Sequence, residues 1–257
     1  MKILIAAHKP YRLPKDDTYV PIMVGAALHD TVIPGYLPDN TGKNISDKNP
    51  YYNELTALYW AKYNLTNEDI VGLVHYRRYF GRKSSHDLAN ILTESDIRQG
   101  LEQADVLLPK QRNYFIETQE QHYLNAHAHE PYQVMREVLE EFYPSYMPAY
   151  KKATQSTKAH LFNMSIMRQT TFQSYTDFLF DVLKKVSERV DVTQLEGQDQ
   201  RSLGFLAERL MDIWIYTNDL HIKEYPLVTT EKINWVDKGY QFLRRKFTKS
   251  ATKKVHF

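Results

Sequence analysis

Four consecutive residues, His75-Tyr76-Arg77-Arg78, carry the densest chemistry in this chain. Guanidinium groups stay charged at any relevant pH and bind phosphate oxygens in bidentate fashion, so two arginines among a histidine and aromatics suit a diphosphate. In an extended segment Arg77 and Arg78 point to opposite sides, and only one meets a ligand unless the backbone turns there. A solvated or salt-bridged basic pair is the plainer alternative. His8 and Lys9 follow the apolar run KILIAA and form a second polar group at a strand's end.

His122, His127 and His129 form H-x4-H-x-H beside Glu130. Neutral imidazoles are common metal ligands, yet this spacing matches no strong zinc pattern. Positioning a substrate hydroxyl, or plain surface exposure, suits these histidines better. Carboxylate pairs are scarce. Asp16-Asp17 lies in a polar loop. Asp199 precedes a helix and either caps it or receives a substrate proton. Glu208 lies mid-helix before Arg209, where a buried ion pair is the alternative to catalysis. No phosphate loop, G-x-G-x-x-G or H-E-x-x-H occurs. With no cysteine, thiol catalysis, disulfides and Cys-ligated metals are excluded.

These residues need elements to hold them. Residues 2–7 read as a fully buried strand. Residues 30–50 form a long polar loop, 53–63 a helix and 70–74 a second buried strand ending at the arginine pair. A short helix capped by Thr93 or Ser95, a strand at 105–109, and helical sequence over 117–143 broken near Pro131 come next. Residues 161–167 read as a strand, 172–190 and 198–214 as helices, and 221–228 as a last strand. Short buried strands alternating with helices predict an α/β sandwich with a largely parallel sheet. Ligands of such sheets sit beyond the carboxyl ends of strands, which points at His8, Lys9 and the arginine pair.

The chain has 257 residues, 42% hydrophobic and 25% charged, which fits a globular protein and excludes a mainly disordered one. No apolar run is long enough to span a bilayer, and the apolar start is too short for a secretory signal, so a cytoplasmic location is expected. The 19 tyrosines suit sugar or base stacking as well as core edges. Residues 238–257 hold seven of the 33 basic residues and none of the 31 acids. An acidic body thus carries a basic tail, read as a helix from Trp235 whose aromatics suit an anionic membrane leaflet. Nucleic acid is not an expected partner, because the aromatics are not interleaved with a basic stripe.

The string DNTGKNISDKNPYYNELTALYWAKYN, then VGLVHYRRYF, FNMSIM and RSLGFLAERLMDIWI, resembles a bacterial family that accompanies capsule and exopolysaccharide gene clusters. Its members are catalogued as a domain of unknown function and regarded as glycosyltransferases. The resemblance spans roughly residues 2 to 228. It implies a GT-A-like, Rossmann-type domain over residues 1–230, followed by the basic tail at 231–257.

The resemblance further implies transfer of a hexose, galactose in pyranose or furanose form, from a UDP-sugar to a lipid-linked oligosaccharide at the inner leaflet. Many GT-A enzymes hold a divalent metal with Asp-x-Asp where this chain has His75, Tyr76, Arg77 and Arg78. A cationic side chain can stabilise the leaving diphosphate instead, so no metal cofactor is expected. His8 and Lys9 would border the nucleotide, and Asn44, Lys48, Asn49 and Glu54 would shape the donor site. Asn163 and Arg201, with His127 and His129, would serve the acceptor. An inverting reaction needs one base, for which Asp199 and Glu208 compete. Asp199 departs from the family pattern. Two other readings stand beside this one: a metal-dependent transferase or nucleotide-sugar hydrolase using His127 and His129, and a non-catalytic polysaccharide-binding scaffold.

Overall fold

The computed structural model of the chain describes residues 1–231. The helix expected from Trp235 lies outside the described residues. The first half contains β1 (Lys2–Ala7), β2 (Tyr19–Met23), β3 (Leu37–Pro38), α1 (Asn49–Tyr52), α2 (Leu55–Asn64), β4 (Ile70–His75), β5 (Arg78–Phe80), α3 (Glu94–Gln103) and β6 (Val106–Pro109). The second half contains β7 (Arg112–Asn113), α4 (Gln119–Ala126), α5 (His129–Phe142), α6 (Met147–Gln155), β8 (Lys158–Ala159), β9 (Ser165–Arg168), α7 (Gln169–Ser187), α8 (Ser202–Thr217), β10 (Ile222–Tyr225) and β11 (Leu227–Thr229).

The main sheet runs β10-β6-β9-β4-β1-β2-β3, with β5 and β11 joined at the β4 end. β1 pairs in parallel with β2 and β4, and β6 with β10, while β9 runs antiparallel between β4 and β6. This is the largely parallel α/β architecture that the sequence pattern predicts. β1 shows why it forms. Leu4 and Ala6 face one apolar cluster, Ile3, Ile5 and Ala7 the other, so the strand is buried on both faces as a parallel sheet requires. Helices α2, α5, α7 and α8 cover the first face, and Ile97 and Leu101 of α3 the second.

Helix α8 is buried nearly all round, so its polar residues need partners. Arg209 donates to the Phe205 carbonyl and to Glu208. Asp212 meets His160 Nδ1 at 2.5 Å, and the other ring nitrogen of His160 meets Glu224 at 3.0 Å.

Several expected boundaries move for identifiable reasons. The strand expected over 161–167 begins only at Ser165, because Phe162 and Asn163 adopt positive φ values of 78° and 51°. The last expected strand is split at Pro226 into β10 and β11, which pair with different neighbours. The expected helix break falls at His127-Ala128, and Pro131 lies in the first turn of α5.

Candidate functional site

A cleft of about 460 Å³ opens at the carboxyl ends of β1 and β4. Ala6, Ala7 and His8 line it from β1, and His75, Tyr76, Arg77 and Arg78 from the hairpin that joins β4 to β5. Asn49, Asn53 and Glu54 close a second side, Leu161, Phe162 and Asn163 a third, and Arg201, Gly204, Phe205 and Glu208 the floor.

The hairpin resolves the orientation question posed by adjacent arginines. His75 pairs with Arg78 across a two-residue turn, so the backbone reverses between them and both arginines line the cleft. Arg77 stacks over the Tyr76 ring, 4.8 Å from its centroid, and donates to Glu231 at 3.1 Å. Arg78 lies 4.4 Å over the Phe162 ring. Its electrostatic neighbours include Glu208 and Glu231, but it forms no salt bridge within the described residues. His8 packs edge-on against Tyr76, and burial with nearby cations pushes its pKa down.

The opposite wall depends on an unusual backbone. The left-handed conformation of Phe162 aims its N–H at Glu208 Oε1, 2.8 Å away. The next residue, Asn163, donates its amide to Glu54 Oε1 at 2.7 Å and to the Gly204 carbonyl at 3.0 Å. Non-glycine residues at positive φ cost energy and cluster at functional sites. Asn53, with φ of 52°, accepts from Arg201 Nε at 2.7 Å. Gly204 lets α8 approach this corner: a Cβ there would lie 2.4 Å from Asn53 Nδ2.

Glu208 holds its second oxygen 2.7 Å from Arg209, and its side chain keeps 17% exposure toward the cleft. Burial raises its pKa above the ordinary carboxylate value, opposed by Arg209 and the Phe162 N–H. The buried polar atoms of the lining include His75 Nε2 and Asn163 Oδ1, which have no hydrogen-bond partner among the described residues. Buried polar groups are normally satisfied, so both atoms are exceptions in this wall.

Other expected site residues lie elsewhere. Lys9 is exposed, with its ammonium 5.4 Å from the Tyr11 ring, and Lys48 is exposed at the end of a single helical turn. Asn44 folds its own loop, donating to the Gly42 carbonyl and accepting from Ser46 N–H. His129 is exposed and bonds the Leu124 carbonyl at 2.8 Å. His127 is buried behind the cleft, stacked on Phe205 at 4.1 Å, with Nδ1 3.4 Å from Asp199. Desolvation lowers its pKa to about 4. Thus Asp199 faces His127, whereas Glu208 faces the cleft.

His122 keeps to Glu117, so the three histidines diverge to separate partners. Among the described residues no three His, Asp or Glu side chains are grouped as a metal site. The cleft's two carboxylates are already engaged, Glu54 by Asn163 and Glu208 by Phe162 and Arg209. A donor set beside two guanidinium groups does not suit a divalent cation at the turn. The sequence reading missed Asn53, Phe162, Gly204 and Phe205. An Asn before a helix start, which tolerates left-handed backbone, is the one signal that could have marked any of them.

The family described as "Domain of unknown function (DUF4422)" matches residues 2–219. The chain belongs to this family. Among solved structures, the DUF4422 chain is similar to the apo structure of the bifunctional glycosyltransferase WbbM, at 30% identity and a TM-score of 0.81. The match covers 90% of this chain and 45% of that one, so the chain spans less than half of WbbM's length. No curated protein matches. The fold is therefore α/β with a largely parallel sheet, consistent with a GT-A-like domain.

Proposed function

We propose that the chain is a glycosyltransferase that moves a hexose, galactose in pyranose or furanose form, from a UDP-sugar to a lipid-linked oligosaccharide in surface polysaccharide assembly. The observation that carries this reading is the turn that brings both Arg77 and Arg78 into one cleft beside the unpartnered His75 Nε2. The likeness to WbbM supports it.

The diphosphate lies against Arg77, Arg78 and His8. Glu208 accepts the proton of the acceptor hydroxyl, whose oxygen then bonds the anomeric carbon. The bond from that carbon to the UDP oxygen breaks, and the arginines stabilise the charge left on the diphosphate. Attack from the face opposite UDP inverts the anomeric centre. Two guanidinium groups supply the positive charge, so the reaction runs without a divalent ion. Asn163, held by Glu54, offers Oδ1 to a sugar hydroxyl. The site of action is the cytoplasmic leaflet, reached through the basic tail. No helix among the described residues is long and apolar enough to cross a membrane.

Incubation of the full chain with labelled UDP-hexoses and a polyprenyl-diphosphate-linked oligosaccharide pool tests the reading. Label should move to the lipid-soluble product. Glycan binding without UDP affinity or transfer would favour the scaffold reading instead.

A further inference from the structure

Phe115 and Ile116 are the most exposed large apolar side chains among the described residues, at 81% and 59% exposure. They occupy the loop that leaves β7. Their exposure is built in. Phe115 has φ of 62°, a conformation that aromatic residues rarely adopt. The Asn113 side-chain oxygen accepts its N–H at 2.7 Å, and Ile116 N–H donates to the Tyr114 carbonyl at 2.7 Å. Tyr114 anchors the turn. It is buried with Ala159 and Leu161, and its N–H donates to the Thr157 carbonyl at 2.8 Å. The loop therefore buries one aromatic ring and turns the next two apolar side chains outward.

This loop is fastened to the cleft. Leu161 of the Tyr114 cluster lines the cleft wall, as does Phe162, which packs against the same cluster. Exposed cations flank the loop. Lys110, Arg112 and Lys158 are exposed on β7, β8 and their approach. The adjacent carboxylates are engaged: Glu117 with His122 and Asn125, Glu224 with the Gln111 N–H and His160.

We propose that the Tyr114–Ile116 loop is an interfacial anchor that inserts Phe115 and Ile116 into an anionic lipid surface. A two-residue apolar tip is too small to be the core of a stable protein interface, which needs about 800 Å² per partner. It suits the headgroup boundary of a bilayer, where apolar side chains enter and neighbouring cations meet anionic lipid. This contact is separate from the basic tail. It rests on the transferase reading only for its purpose, which is to present a lipid-borne acceptor to the wall formed by Leu161 and Phe162.

The chain has no cysteine, so Phe115→Cys gives a unique attachment point for an environment-sensitive dye on the full-length protein. Phosphatidylcholine vesicles, with or without an equal share of phosphatidylglycerol, are the probe. The dye at 115 should brighten and shift to the blue on anionic vesicles and lose the signal at high salt. The same dye on Glu137→Cys, on an exposed face of α5, should not change. In vesicle sedimentation, Phe115→Ser/Ile116→Ser should partition about tenfold more weakly than wild type at an unchanged melting temperature. An unchanged dye signal, or equal partitioning, overturns the anchor. So does self-association abolished by the double variant with no lipid binding, which would give the tip to a second copy. UDP titration of the same proteins separates the two readings, because failure of UDP binding sinks the transferase without touching the vesicle result.

Discussion

The backbone N–H of Phe162 donates to Oε1 of Glu208 at 2.8 Å. The bond exists because Phe162 takes a left-handed conformation, and the same residue lays its ring under Arg78. One strained position thus ties the carboxylate that would take a proton to the cation that would hold the leaving group.

Glu208→Gln should lower kcat by about a hundredfold or more, the usual worth of a general base, while UDP binding changes little. Burial raises the folded-state pKa of Glu208. Its carboxylate is therefore present above that raised value and lost as pH falls through it. The acid limb of the wild-type kcat profile should lie above the ordinary carboxylate range and vanish from the residual activity of the variant. Asp199→Asn should leave that limb in place.

Arg78→Ala should weaken UDP by about 2 kcal/mol, the scale of a charge-assisted hydrogen bond to phosphate. Arg77→Ala should cost less, because Arg77 already spends part of its charge on Glu231. Arg78→Lys should recover only part of the loss, since an ammonium lacks the planar fork. Calorimetric titration of UDP on the three variants gives the order.

Gly204→Ala should destabilise the fold by about 1 kcal/mol and weaken donor binding as well. The new methyl would meet Asn53 Nδ2, and Asn53 is the residue that accepts from Arg201. Thermal melts and a UDP titration on one preparation read both effects.

His127 gives a stability signature in acid. An unfolded histidine takes its proton near pH 6.5, but the buried ring resists until about 4. The stabilisation from keeping His127 neutral is complete above the unfolded value and is lost as pH falls through this window. It amounts to at most about 3 kcal/mol. Urea unfolding at several pH values should show the decline, and His127→Gln should flatten it while lowering stability at neutral pH.

The strands of the sheet were legible where burial on both faces leaves an unbroken apolar run, as in β1 and β4. β2 was not, because Pro21 interrupts YVPIM; β3 pairs only with Ile22 and Met23, so the proline is tolerated there. The arginine pair was legible as a candidate phosphate site from residue type alone, but its geometry depends on a two-residue turn that the string HYRR does not announce. Phe162 and Asn163 were read as strand because their apolar neighbours suit one. Their left-handed backbone comes from tertiary bonds to Glu208, Glu54 and Gly204, which no local pattern encodes. The histidines misled for the opposite reason: closely spaced in sequence, they turn to Glu117, Asp199 and Leu124 in space.

A nucleotide diphosphate site built from the turn arginines should hold UDP without a divalent ion. Calorimetric titration of UDP in the presence of EDTA, on wild type and Arg78→Ala, tests it most directly. Binding that survives EDTA in the wild type and is lost or much weakened in Arg78→Ala is the expected result. Binding that requires manganese, or that is indifferent to Arg78, would contradict it.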